Sequence, residues 1–209
     1  MDDIVAIALF RHGMTLENKR QAYLGWTDST LVTGQVLTEI PVSFERIFTS
    51  DLGRCRETAK ILFPNNVPEV VPELREMNFG DWEGKTYELL KDDVMYQNWL
   101  DEPFKVSPPN GESFSAFTLR VEKGWKDITK RIVENRIPTT ALVTHGGVIR
   151  YLLTRYATEE RDFWAWSIPY GQGYQLIWSR EGLRRGDRCI SLLEVPSMEN
   201  QNGSENNIS

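Results

Sequence analysis

The chain has 209 residues, of which 40% are hydrophobic and 26% charged, and these values are typical of one soluble globular domain. Its formal net charge is -6 and it has no run of Lys and Arg, which argues against a protein that binds nucleic acid or an anionic membrane surface. Two cysteines are too few for a disulfide framework, and no Cys/His cluster with the spacing of zinc ligands occurs.

The acidic N-terminus lacks the basic region and cleavage site of a signal peptide, and no apolar run approaches the length of a membrane span. The sequence therefore predicts a cytoplasmic protein. We expect one domain over residues 1–196 and a polar, disordered tail over 197–209, which is rich in Asn and Ser. The sequence leaves the oligomeric state open.

The first half of the chain alternates short apolar runs with a helical pattern. Residues 4–10 form the first predicted strand, with apolar side chains on both faces, as in the centre of a parallel sheet. Residues 44–49 and 67–71 are the next two predicted strands, and a helical pattern over 55–63 lies between them.

Residues 75–111 interrupt this alternation with several aromatic side chains, and we interpret them as a small helical excursion over the site. A long helical pattern follows over 112–134, and a fourth strand over 141–144. Residues 173–178 and 189–195 are predicted as late strands joined by a polar turn. This order predicts an α/β fold: a three-layer, doubly wound, largely parallel sheet with helices on both faces.

The two histidines of the chain occupy matching positions. His12 ends the first predicted strand, His145 ends the fourth, and each precedes a glycine. Ligands of open parallel sheets bind outside the carboxyl ends of the strands, so both imidazoles could reach one crevice. Arg11 precedes His12, and Arg54 stands at a predicted helix start, where free N–H groups and the positive end of the dipole favour an anion.

These groups suit the transfer of a phosphoryl group to nitrogen. A neutral imidazole can attack phosphorus while fixed cations stabilise the charge of the transition state, so a metal is not needed. The leaving alkoxide also needs a proton, and a carboxyl beside bound phosphate is favoured in its protonated form because like charge disfavours ionisation. The residues alone leave four candidates for this acid: Glu73, Glu76, Asp81 and Glu83.

Four motifs in chain order resemble those of the histidine phosphatase superfamily, also called the phosphoglycerate-mutase-like family. RHGMTLEN at 11–18 resembles the opening motif of the family. Three later segments of the chain resemble its later motifs: SDLGRCRETA at 50–59, REMNFGDWEG at 75–84 and THGG at 144–147. The resemblance extends over about residues 4–195 and includes every histidine of the chain.

The resemblance implies a role for each matched residue. His12 is expected to be the phosphorylated nucleophile, Glu76 the proton donor, and His145 a catalytic residue that contacts the phosphoryl group. The residues expected to bind the phosphate are Arg11, Arg54, Asn18, Thr15 and Gly146.

The segment 110–114 is similar to the small-molecule phosphatases of the family, of the broad-specificity and α-ribazole types. The resemblance therefore implies a metal-independent phosphatase that hydrolyses a small phosphomonoester through a phosphohistidine. We expect no cofactor, and neither nucleic acid nor a membrane as a partner.

Two other functions are compatible with these motifs. One is a cofactor-dependent phosphoglycerate mutase, and the other is a non-catalytic module that binds a phospholigand, although the candidate nucleophile and acid are both present. Residues 85–105 are expected to border the pocket, and their excess of carboxylates would repel the charged acceptor of a mutase. The carboxylates concerned are Asp92, Asp93, Asp101 and Glu102.

Overall fold

The computed structural model describes residues 3–195, and within them six strands form one sheet. The strands are β1 (Ile4–Arg11), β2 (Arg46–Thr49), β3 (Glu69–Val70), β4 (Thr139–Thr144), β5 (Gly173–Ser179) and β6 (Ser191–Val195). Their order is β3-β2-β4-β1-β5-β6, and only β5 runs opposite to the other described strands. The prediction of an α/β fold with a largely parallel sheet is confirmed.

Seven α-helices occur in the same residues. They are α1 (Leu16–Lys19), α2 (Gly53–Leu62), α3 (Tyr87–Leu90), α4 (Val94–Asp101), α5 (Phe114–Glu134), α6 (Gly146–Tyr156) and α7 (Arg180–Arg185). Short 3₁₀ turns lie at Pro72–Leu74, Gly80–Trp82 and Phe163–Ala165.

Helices cover both faces of the sheet, because the side chains of its central strand alternate between two apolar layers. Val5, Ile7 and Leu9 of β1 belong to the cluster that includes buried residues of α5 and α6. Ala8 and Phe10 belong to the opposite cluster, which includes the buried residues of α2. The two faces of β1 are both apolar, as its sequence predicts, and the result is a three-layer architecture.

The long helix α5 has a well-defined start. Its N-cap is Ser113, whose hydroxyl accepts a hydrogen bond from the backbone N–H of Ala116 at 3.1 Å. The start predicted at residue 112 was therefore two residues early. The buried face of the helix includes Val121 and Ile128, which lie about two helical turns apart.

The polar turn predicted between the last two strands was wrong, because those residues form the helix α7. Ser179 caps this helix through a hydrogen bond from the N–H of Gly182 at 3.1 Å. Gly186 ends it in the left-handed conformation, with φ of 76°, which glycine adopts without steric cost. The cap residue and the terminal glycine are both helix signals that the turn interpretation overlooked.

The predicted excursion over 75–111 contains α3 and α4 and has a small core of its own. Trp82, Tyr96 and Trp99 are buried together with Leu90. The hydroxyl of Tyr96 lies 2.8 Å from that of Tyr23, which joins the excursion to the segment that follows α1. This packing holds the excursion beside the carboxyl ends of the parallel strands.

The predicted tail at 197–209 lies outside the described residues, as does residue 196, so the domain boundaries stay a prediction. Over residues 3–195, no helix is both long enough and apolar enough to cross a membrane.

Candidate active site

The parallel register of β1 and β4 brings the two histidines side by side. Arg11 lies opposite Thr144, and the N–H of His12 donates to the carbonyl of Thr144 at 2.9 Å. The centroids of the His12 and His145 rings are 5.1 Å apart. Both side chains are buried, with 3% and 0% of their surface exposed. The structure therefore brings the two imidazoles together in one crevice, as the sequence predicts.

The tautomer of His12 follows from one hydrogen bond. Its Nδ1 lies 2.7 Å from the carbonyl oxygen of Gly13, and because a carbonyl can only accept, Nδ1 carries the proton. The lone pair is then on Nε2. Burial lowers the pKa of His12 well below its ordinary value, and the positive charges of Arg54 and Arg11 lower it further. His12 is thus a neutral imidazole with a nucleophilic nitrogen.

His145 is fixed between β4 and α6, where it is the N-cap residue of the helix. Its Nε2 lies 3.0 Å from the hydroxyl of Ser50 and 3.4 Å from the sulfur of Cys55. Burial lowers the pKa of His145 well below the ordinary value, and the charges of Arg54 and His12 lower it further. Burial raises the pKa of Cys55, so its thiol is protonated and is not a competing nucleophile.

Arg54 lies in the first turn of α2 and is only 1% exposed. Its two terminal nitrogens donate to the carbonyls of Gly25 at 2.6 Å and Thr27 at 2.9 Å. Asp28 is 3.7 Å away. The Nε–H of Arg54 is buried and has no hydrogen-bond partner among residues 3–195. Such a buried donor is suited to an oxygen of an anionic ligand.

Arg11 provides a second guanidinium of the same kind. It donates to the carbonyl of Ile168 at 2.7 Å, and its Cζ lies 3.8 Å from the ring centroid of Tyr170. Its Nε is buried and likewise without a partner in the described part of the chain. Burial lowers the pKa of Arg11, but an arginine stays charged at neutral pH. Two imidazoles and two cations therefore face one small region.

Glu76 lies at the N-terminus of α6. Its Oε2 accepts the N–H of Gly147 at 2.9 Å, and its Oε1 accepts the N–H of Met77 at 3.0 Å. A Cβ on Gly147 would be only 2.2 Å from Oε1, so this close approach requires a glycine. The carboxyl group of Glu76 therefore lies against Gly147, the second residue after His145.

The other three candidate acids are engaged elsewhere. Glu73 pairs with Lys123 at 3.2 Å on the surface, and Asp81 accepts a hydrogen bond from Asn110. Glu83 accepts the backbone N–H groups of three residues: Trp26, Thr27 and Phe79. Of the four carboxyls, Glu76 is the one that contacts the strand-end segment bearing His145.

The contacts of Glu83 were not foreseen from the sequence, where it is only one of four candidate acids. Its carboxylate accepts backbone N–H groups of the segment at 25–28, and two carbonyls of that segment accept hydrogen bonds from Arg54. In the same segment, the indole N–H of Trp26 donates to the carbonyl of Glu76 at 3.0 Å. Glu83 and Trp26 thus connect the loop that orients one cation to the loop that carries the candidate acid. Their separation in sequence gives no indication of this contact.

Thr15 and Asn18 bond to one another at the start of α1. The hydroxyl of Thr15 donates to Oδ1 of Asn18 at 2.9 Å, and the two residues form a capping box. A ligand would therefore meet the amide NH₂ of Asn18 rather than its oxygen. Gly146 lies in the first turn of α6, where N–H groups have no acceptor within the helix. The phosphate-binding roles of these three residues stay predictions.

A small cleft of about 80 Å³ opens beside Glu76. From the segment 85–105 it is lined by Trp99 and Pro103, and none of the four acidic residues expected there lines it. These carboxylates are engaged elsewhere: Asp93 caps α4, and Glu102 pairs with Lys105. The cause is that the apolar face of α4 turns inward and its charged ends turn to solvent. The repulsion of a charged acceptor by these carboxylates stays a prediction.

Arg150 also lines this cleft, although it lies outside the four motifs that resemble the superfamily. It lies four residues after Gly146, so the helical repeat puts both on the same face of α6. That spacing is the signal that could have identified it.

No group of three or more His, Cys, Asp or Glu side chains within residues 3–195 is arranged to hold a metal ion. Within the described residues, Arg54 and Arg11 are the cations that act on His12, Arg120 also acts on His145, and Arg150 lines the adjoining cleft.

Comparison with known proteins is consistent with this geometry. A sequence profile described as "Histidine phosphatase superfamily (branch 1)" matches residues 7–185. An adenosylcobalamin/alpha-ribazole phosphatase of Salmonella typhimurium is 33% identical over 197 residues, which cover 88% of this chain and 94% of that protein. A 2,3-bisphosphoglycerate-dependent phosphoglycerate mutase of Bartonella henselae is 28% identical over 70% of this chain and 79% of its own.

Among solved structures, the alpha-ribazole phosphatase from Shigella flexneri superposes with a TM-score of 0.70 at 28% identity. The match covers 83% of this chain and 89% of that chain.

The burial of both histidines predicts how they titrate. Their pKa values are lowered in the folded protein, so we expect both imidazole signals in an NMR titration to keep their neutral positions as the pH falls below 6.5. The unfolded chain takes up protons there and the folded chain does not, so the free energy of unfolding should decrease with decreasing pH in the same interval. Two ordinary titrations near pH 6.5 would contradict the buried neutral state.

Proposed function

The chain belongs to the histidine phosphatase superfamily, and from this we propose that it hydrolyses a small phosphomonoester through a phosphohistidine at His12. The observation that carries the proposal is the state of His12, a neutral ring with its lone pair on Nε2. Beside it lie the guanidiniums of Arg11 and Arg54, each with a buried Nε–H that has no partner among the described residues. This combination provides a nucleophile and the charge that its phosphorylation requires.

In the first step, Nε2 of His12 attacks phosphorus, and the bond from phosphorus to the ester oxygen breaks. Arg11, Arg54 and His145 bind the phosphoryl oxygens, together with the N–H of Gly146. Glu76, in its protonated form, gives its proton to the leaving oxygen, which departs as a neutral alcohol.

In the second step, water attacks the phosphohistidine. Glu76, now a carboxylate, removes a proton from that water as the new bond to phosphorus forms, and the bond to Nε2 breaks. Inorganic phosphate leaves, and both His12 and Glu76 return to their starting states. Fixed guanidiniums provide the electrostatic stabilisation, so neither step requires a metal.

Trapping of the intermediate tests the nucleophile. After mixing with ³²P-labelled substrate in the presence of EDTA, we expect label that is stable to base and labile to acid, on the peptide containing His12. His12→Ala should abolish both the label and turnover. In the control His145→Gln, labelling should be slower but still on His12, because that residue only stabilises the transferred group.

Label on another residue, or full activity of His12→Ala, would contradict the proposed nucleophile. Loss of labelling in EDTA that one divalent ion restores would contradict the metal-independent mechanism.

The role of Glu76 is tested by the leaving group. Glu76→Gln should reduce kcat/KM for alkyl phosphates by roughly 10²- to 10⁴-fold, the usual contribution of a general acid. The same substitution should reduce kcat/KM for p-nitrophenyl phosphate much less, since nitrophenolate departs without a proton. Glu73→Gln is the matched control, because Glu73 pairs with Lys123 on the surface. Equal losses on both substrates would assign Glu76 a binding role.

The mutase alternative differs only in what accepts the phosphoryl group, and one relative is named as such an enzyme. We expect hydrolysis to dominate, because water needs no binding energy whereas a second acceptor must be held in the cleft of about 80 Å³. With 3-phosphoglycerate, with and without 2,3-bisphosphoglycerate, the main product should be inorganic phosphate. Rapid formation of 2-phosphoglycerate with little phosphate released would show that the alternative is correct.

A further inference from the structure

The cleft beside Glu76 is the place where the leaving group of the substrate must lie, if Glu76 protonates it as proposed above. Aromatic rings form much of its wall, among them Phe79, Trp99, Phe163 and Trp164. These rings would pack against an apolar or planar body. Arg150 is the cation that lines the same cleft.

Arg150 is held in place by its neighbours. Its Nε donates to the carbonyl of Trp166 at 3.2 Å, and its Cζ lies 5.7 Å from the ring centroid of Trp164. One terminal nitrogen is 3.5 Å from the position that a Cβ on Gly146 would occupy, and the Cζ of Arg11 is 3.3 Å from the same position. The two guanidiniums therefore lie on the same side of Gly146, close enough for the charge of Arg150 to lower the pKa of Arg11.

Within residues 3–195, neither Arg11 nor Arg150 forms an ion pair with a carboxylate. By contrast, Arg120 bonds to Glu112 with both Nε and a terminal nitrogen. Glu76 lies near enough to act on the charge of Arg11, but it is one carboxyl group beside two guanidiniums that repel one another. This excess of positive charge favours a bound anion. The phosphoryl group can satisfy Arg11, which adjoins His12. Arg150 lies farther into the cleft, on the side of the leaving group.

We propose that Arg150 is a specificity-determining residue that binds an anionic group, such as a carboxylate, on the leaving group of the substrate. The substrate class is then a phosphomonoester whose alcohol combines an apolar or aromatic body with a carboxylate a few bonds from the ester oxygen. A planar carboxylate matches the fork of a guanidinium, and the aromatic walls accept the body.

Two isosteric substrates isolate the charge: 3-carboxyphenyl phosphate and 3-carbamoylphenyl phosphate. The wild-type protein should prefer the carboxylate by roughly tenfold in kcat/KM, the effect of one charge-assisted hydrogen bond. Arg150→Met should remove this preference through a higher KM for the carboxylate, with kcat/KM for the amide changed by less than about threefold. Arg155→Met is the control on the same helix, since Arg155 is exposed, and it should keep the preference.

Each comparison is a ratio within one protein sample, so a partly unfolded variant does not alter it. No preference in the wild type, or the same preference in Arg150→Met, would overturn the proposal. An equal loss on both substrates in Arg150→Met would also overturn it, because Arg150 would then act on the phosphoryl group. No turnover of either substrate, with no label on His12, would instead reject the proposed function itself.

Discussion

Parallel pairing of β1 with β4 fixes the distance between the two imidazoles, because Arg11 lies opposite Thr144 and a histidine follows each of them. A shift of that register by one residue would turn one of the rings toward the other face of the sheet. The same pairing brings the N-terminus of α6 to the crevice, since His145 caps that helix. Apolar layers on both faces of β1 stabilise this register, so the chemistry depends on the packing of the central strands.

Burial then determines the electrostatics of the crevice. Desolvation keeps both histidines neutral, whereas Arg11 and Arg54 stay charged and have donors without partners in the described structure. Backbone carbonyls satisfy part of each guanidinium and orient it, which makes the burial of the charge tolerable. The remaining donors would be satisfied by phosphoryl oxygens. The crevice is therefore arranged before the ligand arrives, and little reorganisation is needed during the reaction.

Two sets of residues serve different purposes around this crevice. The strand ends and helix N-termini hold the groups that we propose act on phosphorus. The excursion over 75–111 contributes Trp99 and Pro103 to the cleft beyond Glu76, and helix α6 contributes Arg150. Glu83 and Trp26 link the two sets, because they join the loop that orients Arg54 to the loop that carries Glu76. In the proposed mechanism, the residues around the leaving group are therefore largely separate from those around the phosphoryl group.

The sequence by itself determined the α/β fold, the two strand-end histidines and the motifs of the superfamily, because apolar periodicity and short motifs are local features of the chain. It also supported Glu76 over the other acids, though only through the resemblance. Only the tertiary structure showed three features: the contact of Glu83 with Trp26, the outward position of the acidic residues in 85–105, and the approach of Arg150 to Arg11. These depend on which distant segments pack together and which face of a helix turns inward, and no spacing along the chain fixes either.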